Sequence, residues 1–201
     1  DPARIWLNGF YRPTGRYDDE MPGTWYAKEA VAFMKAHRDE PFFVQVGFHQ
    51  PHSPFNFPVE LANTYDPKTM PVPVPGPEDH DQIPKIFADM APEDTQGINA
   101  SYLAACAFLD QNVGRVLQAI DDLGLRENTL VVYFGDHGAD FLRGKRTSYE
   151  GGVRVPFIVR WPNGAKSGQV RQELVSTVDL MPTFLEVAEA EPVNDLPGRS
   201  L

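Results

Sequence analysis

The chain has 201 residues, of which 18 are basic and 28 are acidic, so its formal net charge is −10. The acidic balance and the scattered lysine and arginine residues argue against a dedicated nucleic-acid-binding protein. No apolar run reaches the roughly 18 residues of a membrane span. One cysteine makes neither an intrachain disulfide nor, without a Cys/His cluster, a structural zinc site.

The first half of the chain predicts a helix, a buried strand and a long loop, after an irregular segment that runs to about Gly23. Apolar residues at helical spacing predict a helix from Thr24, as its N-cap, to about His37. The apolar run Phe42–Phe48 predicts a buried strand. Residues 51–92 contain ten prolines, which exclude a helix or a central strand and predict a loop, either a solvent-exposed connector or a substrate-facing lid.

The second half predicts alternating helices and strands. The elements are a helix over Asn99–Leu123, buried strands over Thr129–Phe134 and Val155–Trp161, a fourth strand over Glu173–Val178, and a short helix that Asp179 caps and that ends at Ala188. This alternation is typical of the α/β class. We therefore predict a mixed, mostly parallel sheet flanked by helices.

Two histidines follow the first predicted strand, in the motif His49-Gln50-Pro51-His52. The carboxyl ends of strands in open α/β sheets are where ligands bind. Two imidazoles there can supply a proton near neutral pH and a hydrogen bond to an anion. The alternative is a pair of surface histidines without a role.

Asp136 and His137 directly follow the predicted strand Thr129–Phe134 and have glycine on both sides. A carboxylate and an imidazole at a strand end suit metal ligation, with further ligands required from elsewhere. The alternative is that Asp136 is a turn residue. Lys145 and Arg146 follow in the same polar segment, where they either help to bind a multiply charged anion or are simply solvated.

Together these segments resemble the type I sulfatases of the alkaline phosphatase superfamily. The resemblance rests, in chain order, on the histidine motif after Phe42–Phe48, on Tyr133–Gly138, on Gly144-Lys145 leading into Tyr149–Phe157, and on Val178–Thr183. It implies hydrolysis of a sulfate ester or sulfamate with a divalent metal, usually calcium. It also implies a sulfated small molecule or glycan as substrate and a secreted, periplasmic or lysosomal location.

By the resemblance, Asp136 and His137 are metal ligands, and His49 contacts the sulfate or protonates the leaving group. Lys145 binds the sulfate or the bridging oxygen. His52 and Arg146 are expected to contact the substrate or support the site.

The family's other hallmarks do not occur in this sequence. Its members carry an N-terminal pair of metal-binding aspartates and a Cys-x-Pro-x-Arg type motif whose cysteine or serine becomes the formylglycine nucleophile. Cys106 lies in Ala104–Phe108 without that proline and arginine, so we expect it to be a core residue. We therefore expect residues 1–201 to be part of a sulfatase catalytic domain, without the formylglycine motif or the C-terminal subdomain, and inactive alone.

Two other functions agree with the sequence. A phosphatase or phosphodiesterase of the same superfamily would use similar Asp-His pairs, and its serine or threonine nucleophile would distinguish it. A non-catalytic module for sulfated glycans would bind without metal and would keep its affinity after His49→Ala and Asp136→Ala.

Overall fold

The computed structural model describes residues 2–79, 81, 83, 87, 90–162, 164–191 and 193–201. Its helices are α1 (Pro2–Trp6), α2 (Pro22–Ala36), α3 (Pro92–Asp122), α4 (Glu150–Val153) and α5 (Leu180–Val187). Its strands are β1 (Val131–Phe134) and β2 (Phe157–Arg160). Short 3₁₀ turns are Asp18–Glu20, Val59–Leu61, Pro67–Thr69, Pro77–Asp79, Arg126–Asn128 and Thr177–Asp179. None of the described helices has the length and apolar character that a membrane crossing requires.

Helices α2 and α3 pack against each other, and both contribute buried residues to the core. The predicted cap at Thr24 is wrong, because α2 begins at Pro22 with Met21 as N-cap. Proline fits the first helical turn, where its missing N–H is not needed. Thr24 is instead buried, and its hydroxyl lies between Asp18 Oδ1 at 3.2 Å and Arg115 Nη1 of α3 at 3.2 Å.

Helix α3 is longer than its predicted extent. It starts at Pro92, and Glu93 and Asp94 lie in its first turn, where acidic side chains stabilise the positive end of a helix. Its buried face includes Ala104, Ala105 and Phe108, which are all fully buried. Of the seven additional residues at its start, Pro92 is the last residue of the predicted Pro-rich loop, and the other six follow it directly.

The Pro-rich loop is tied to α3. The side chain of Gln96 donates to the carbonyl of Met70 at 3.0 Å, and that of Asn99 donates to the carbonyl of Pro71 at 2.9 Å. Phe55 and Phe57, near the beginning of the loop, are at most 1% exposed. These parts of the loop belong to the packed structure, whereas positions 80, 82, 84–86 and 88–89 lie outside the described residues.

Strands β1 and β2 form an antiparallel pair, with Val131 opposite Arg160 and Phe134 opposite Phe157. The two strands confirm the predicted positions but are shorter. In the part of the chain that the structure describes, the two strands form one antiparallel ladder, and no parallel pair is formed. The helix between the strands is α4, and its four residues are shorter than the helix that usually forms a parallel crossover.

Two predicted strands are not formed as such. Glu173–Val178 is exposed throughout and leads into the 3₁₀ turn Thr177–Asp179, so it lacks the buried face that would stabilise a strand. Phe42–Phe48 takes part in no described ladder, but its residues alternate between half-buried and exposed. Its half-buried Phe42 and Val44 pack beside Met34 of α2 and Ile120 of α3.

The two ends of the chain also differ from expectation in detail. The opening segment, predicted to be irregular, contains α1. Asp179 does precede α5, as predicted, but its carboxylate accepts hydrogen bonds from the backbone N–H groups of Ser176 at 2.8 Å and Arg199 at 3.0 Å. The same two hydrogen bonds, that of Arg199 first, lower the pKa of Asp179. Asp179 is thus the N-cap residue of α5, as predicted, but its carboxylate makes no capping hydrogen bond and instead fastens the C-terminal segment to the start of the helix.

Candidate active site

His52 and Lys145 meet although they are 93 positions apart in the sequence. Lys145 Nζ lies 2.9 Å from His52 Nε2. His52 belongs to the loop that follows Phe42–Phe48, and the peptide bonds before Pro51 and Pro54 in this loop are cis. Lys145 belongs to the loop between β1 and α4. The structure thus brings together two of the predicted site residues.

The hydrogen bonds of His52 define its tautomer. Its Nδ1 lies 2.6 Å from the carbonyl oxygen of Ser53, and because a carbonyl only accepts, Nδ1 carries the proton. Nε2 faces the Lys145 ammonium, which only donates, so Nε2 accepts. His52 is therefore neutral and orients the lysine in this arrangement.

His49 stacks beside His52. The two ring centroids are 4.9 Å apart with an interplanar angle of 37°, and a turn hydrogen bond of 2.9 Å joins the His52 N–H to the His49 carbonyl. His49 is exposed. This places a second imidazole at the edge of the His52–Lys145 pair, where it can reach a bound ligand.

Three aromatic rings lie beneath these loops and connect them to α3. The ring of Phe55 lies 5.3 Å from that of Tyr102 and 5.7 Å from that of Phe141, and Tyr102 and Phe141 are 5.1 Å apart. Phe55 follows His52 by three residues and Phe141 precedes Lys145 by four. We call Phe55, Tyr102 and Phe141 the ring cluster. It supplies the common apolar base on which both loops rest.

Asp136 and His137 form a second pair, immediately after β1. Asp136 Oδ2 lies 3.3 Å from His137 Nε2, and Asp136 Oδ1 accepts from the His137 N–H at 2.9 Å. His137 Nδ1 lies 2.9 Å from the Gly138 carbonyl, which requires a proton on Nδ1 and leaves a lone pair on Nε2 in the neutral ring. A backbone carbonyl that fixes the tautomer in this way is typical of metal-binding histidines.

The donor set of this second pair fits two ligand positions of a divalent ion. An oxygen and a nitrogen lone pair lie side by side, and the Asp136 side chain is 83% exposed, so it is open to a further group. In the part of the chain that the structure describes, no three His, Cys, Asp or Glu side chains come together as a metal site.

Arg146 and two further ion-paired residues shape the Lys145 loop. Arg146 Nη2 donates to Asp140 Oδ1 at 2.8 Å, while its side chain stays 73% exposed. Arg143 pairs with Asp79 of the Pro-rich loop. Sequence reasoning found Arg146 but missed Asp79, Asp140 and Arg143. The contacts of Asp79 with Arg143 and of Asp140 with Ser53 join distant segments, which no local spacing reveals.

Cys106 lies on α3 beside the ring cluster and is half-buried. Burial raises the pKa of its thiol, and the hydrogen bond with Tyr102 only partly offsets this. Burial also raises the pKa of Tyr102, to about 12. A thiol whose pKa is raised is protonated near neutral pH and is a poor nucleophile. The prediction that Cys106 is a core residue is met only in part, because the residue is half-buried.

Comparisons with known proteins agree with this arrangement. The family described as Sulfatase matches residues 3–190. The arylsulfatase of Clostridium perfringens is 29% identical over 94% of this chain and 43% of its own length. The N-acetylglucosamine-6-O-sulfatase of Bacteroides thetaiotaomicron is 38% identical over 50% of this chain and 19% of its own length. The chain thus spans less than half the length of these relatives.

The fold is also that of a solved structure. The phosphonate monoester hydrolase SpPMH of Silicibacter pomeroyi superposes with a TM-score of 0.79 at 25% identity, over 100% of this chain and 46% of the hydrolase. The predicted α/β class and the resemblance to the alkaline phosphatase superfamily are confirmed. With its family match extending over nearly the whole sequence, the chain belongs to the sulfatase family.

Proposed function

We propose that residues 1–201 are part of a catalytic domain that hydrolyses sulfate esters or sulfamates, and that they supply its proton donor, its anion-binding lysine and half of its metal site. The observation that supports this most is the His52–Lys145 contact of 2.9 Å. It joins two family motifs that the sequence places far apart. A lysine held by a neutral imidazole keeps its positive charge directed at a bound anion.

Each residue then has a defined task. Lys145 Nζ has donor capacity beyond the hydrogen bond to His52 and binds a sulfate or bridging oxygen, so it stabilises the negative charge that develops there. His52 orients Lys145 and also lines the site. His49, exposed beside it, contacts the sulfate or protonates the departing alkoxide, which is a poor leaving group without a proton. The exposed N–H groups of Arg146 lie at the rim and contact the substrate.

The sulfatase family is in general metal-dependent and uses a formylglycine. We propose that Asp136 and His137 hold a divalent ion, with calcium as the first choice and magnesium as the alternative, since imidazole is a less usual ligand for calcium than oxygen. Such an ion supplies positive charge that stabilises the transferred group. The formylglycine belongs to a part of the protein that this sequence does not contain.

The substrate class that we propose is a sulfated small molecule or glycan, with no nucleic acid as partner. The net charge of −10 supports the exclusion of nucleic acid. A relative of this chain is an N-acetylglucosamine-6-O-sulfatase, which supports a glycan. We propose a secreted, periplasmic or lysosomal location on the basis of the family resemblance.

The function is tested by assaying the 201-residue chain and the full-length protein, carrying its formylglycine, on an aryl sulfate. We expect turnover by the full-length protein only, because the described residues include no activated nucleophile. Turnover by the isolated chain would contradict the division of the site between segments. Absence of turnover by the intact protein on any sulfate ester would contradict the sulfatase function.

A phosphonate or phosphate ester hydrolase is the second candidate. The observation in its favour is the superposition on the phosphonate monoester hydrolase, with a TM-score of 0.79. Sulfate, phosphonate and phosphate esters all present a tetrahedral anion to the same lysine and imidazoles. Parallel assays of an aryl sulfate and an aryl phosphonate monoester distinguish the two, since the preferred substrate is the one with the larger kcat/KM.

The metal assignment is tested with Asp136→Asn in the full-length protein. Loss of the carboxylate charge should weaken binding of calcium or magnesium, measured by calorimetry on metal-free protein, by about 10- to 100-fold. Asp122→Asn, at the end of α3, removes the same charge away from the pair and should leave the affinity unchanged. Equal affinity in both variants would show that Asp136 is not a ligand.

A further inference from the structure

Asp140 connects the two loops that carry His52 and Lys145. Its Oδ2 lies 3.4 Å from the hydroxyl of Ser53, and its Oδ1 accepts from Arg146 Nη2 at 2.8 Å. Ser53 directly follows His52, and Arg146 directly follows Lys145. Each carboxylate oxygen is therefore bound by the immediate neighbour of one member of the His52–Lys145 pair.

The Ser53 side of this connection is shielded from solvent, whereas Arg146 on the other side is 73% exposed. The Asp140 side chain is 18% exposed and Ser53 is 3% exposed. Hydrogen bonds to a carboxylate are stronger than those between neutral groups, and exclusion of water strengthens them further. The Ser53 carbonyl also accepts a hydrogen bond from His52 Nδ1, so the same residue fixes the ring of His52 and binds Asp140.

The backbone around Lys145 adopts a strained conformation that requires stabilising contacts of this kind. Arg143 and Arg146, on either side of Gly144-Lys145, have φ values of 57° and 69°, in the left-handed region that non-glycine residues rarely adopt. The Lys145 N–H donates to the Ala139 carbonyl at 2.8 Å, and a Cβ on Gly144 would overlap that same oxygen. Such a backbone persists only where its surroundings hold it, and Arg146 is held by Asp140.

We propose that Asp140 is a positioning residue that keeps His52 Nε2 and Lys145 Nζ within hydrogen-bond distance by binding Ser53 and Arg146 with one carboxylate. The proposal extends the sulfate-ester hydrolase function proposed above and rests on it. Asp140 acts through Ser53 and Arg146, which directly follow His52 and Lys145 in the sequence.

The test compares Asp140→Ala with Asp121→Ala in the full-length protein. Asp121 is a matched control, because its carboxylate also binds two side chains, Arg126 at 2.6 Å and Arg160 at 3.5 Å, on another part of the fold. We expect Asp140→Ala to lower kcat/KM by about 10- to 100-fold, since a displacement of about 1 Å has effects of this size. Asp121→Ala should change kcat/KM less than about threefold.

A second readout is independent of turnover. In full-length protein labelled with ¹⁵N-histidine, and with the His52 signal assigned from His52→Gln, the Nε2 resonance of His52 reports the hydrogen bond from Lys145. Asp140→Ala should shift this resonance toward that of an unbonded ring, and Asp121→Ala should leave it in place. If Asp140→Ala does not fold, the near-isosteric Asp140→Asn is measured in the same way.

The two measurements distinguish failure of the positioning role from failure of the hydrolase function. An unchanged His52 resonance in the folded Asp140 variant would overturn the positioning role, whatever happens to activity, as would equal losses of kcat/KM in both variants. A shifted resonance in a protein that turns over no sulfate ester would uphold the positioning of His52 and Lys145 and would overturn the hydrolase function instead.

Discussion

Replacing Lys145 with alanine in the full-length protein is expected to lower kcat/KM for a sulfate ester by about 100- to 1000-fold. In the proposed function the lysine ammonium, 2.9 Å from His52 Nε2, binds the transferred group. Loss of one preorganised donor to a developing negative charge costs about 3–4 kcal/mol of transition-state stabilisation. Initial rates over a range of substrate concentrations measure the effect.

The control for this variant is Lys166→Ala, which removes the same charge from an exposed loop. It should leave kcat/KM within about twofold of the unmodified protein, since exposed charges far from the site contribute little. Lys145→Arg should rescue activity only in part, because a planar guanidinium cannot reproduce the point charge of an ammonium. Activity of Lys145→Ala within threefold of the Lys166→Ala value would argue against a role of Lys145 in binding the sulfate group.

Replacing Phe55 with alanine should lower the free energy of unfolding by about 3–5 kcal/mol. Phe55 is 1% exposed and belongs to the ring cluster and to the core around Ile98 and Ala105. Truncation removes a large buried side chain and leaves a cavity, and the cost of both is of this size. Because the ring cluster supports both loops of the site, activity should fall in the same variant. Urea unfolding followed by tryptophan fluorescence measures the change in stability.

Phe55→Leu serves as the comparison. It keeps most of the apolar volume and should cost less than about 1.5 kcal/mol. A loss below about 1 kcal/mol in Phe55→Ala would mean that the ring cluster is not a principal support of this region.

Apolar periodicity predicted helices α2 and α3 and strands β1 and β2, because it reports which face of an element is buried. It failed at Phe42–Phe48, where the side chains do alternate but hydrogen-bonded partners decide whether a strand forms. The proline count, which assigns Pro92 to the loop, is wrong at this residue, because Pro92 starts α3. Proline is common both at helix starts and in loops, and only the packing of the following turn distinguishes the two cases.

The motifs singled out His49, His52 and Lys145 by residue type and spacing, and the structure brings these three side chains close together. They did not predict Asp140. Its role depends on the distances to Ser53 and Arg146, and the approach to Ser53 is created by the tertiary fold alone. Residues that touch a ligand can be found by motif, whereas residues that hold them in place require the structure.

The separation of 93 positions between His52 and Lys145 also bears on how the protein acquires its site. A contact across so long a stretch of chain forms only after α3 and both loops have docked, since the entropy of closing that loop must first be overcome. Intermediates that contain α2 and α3 but have not docked these loops would present no anion site. The His52–Lys145 hydrogen bond thus indicates that these two loops have docked, and its appearance during refolding marks the formation of this pair.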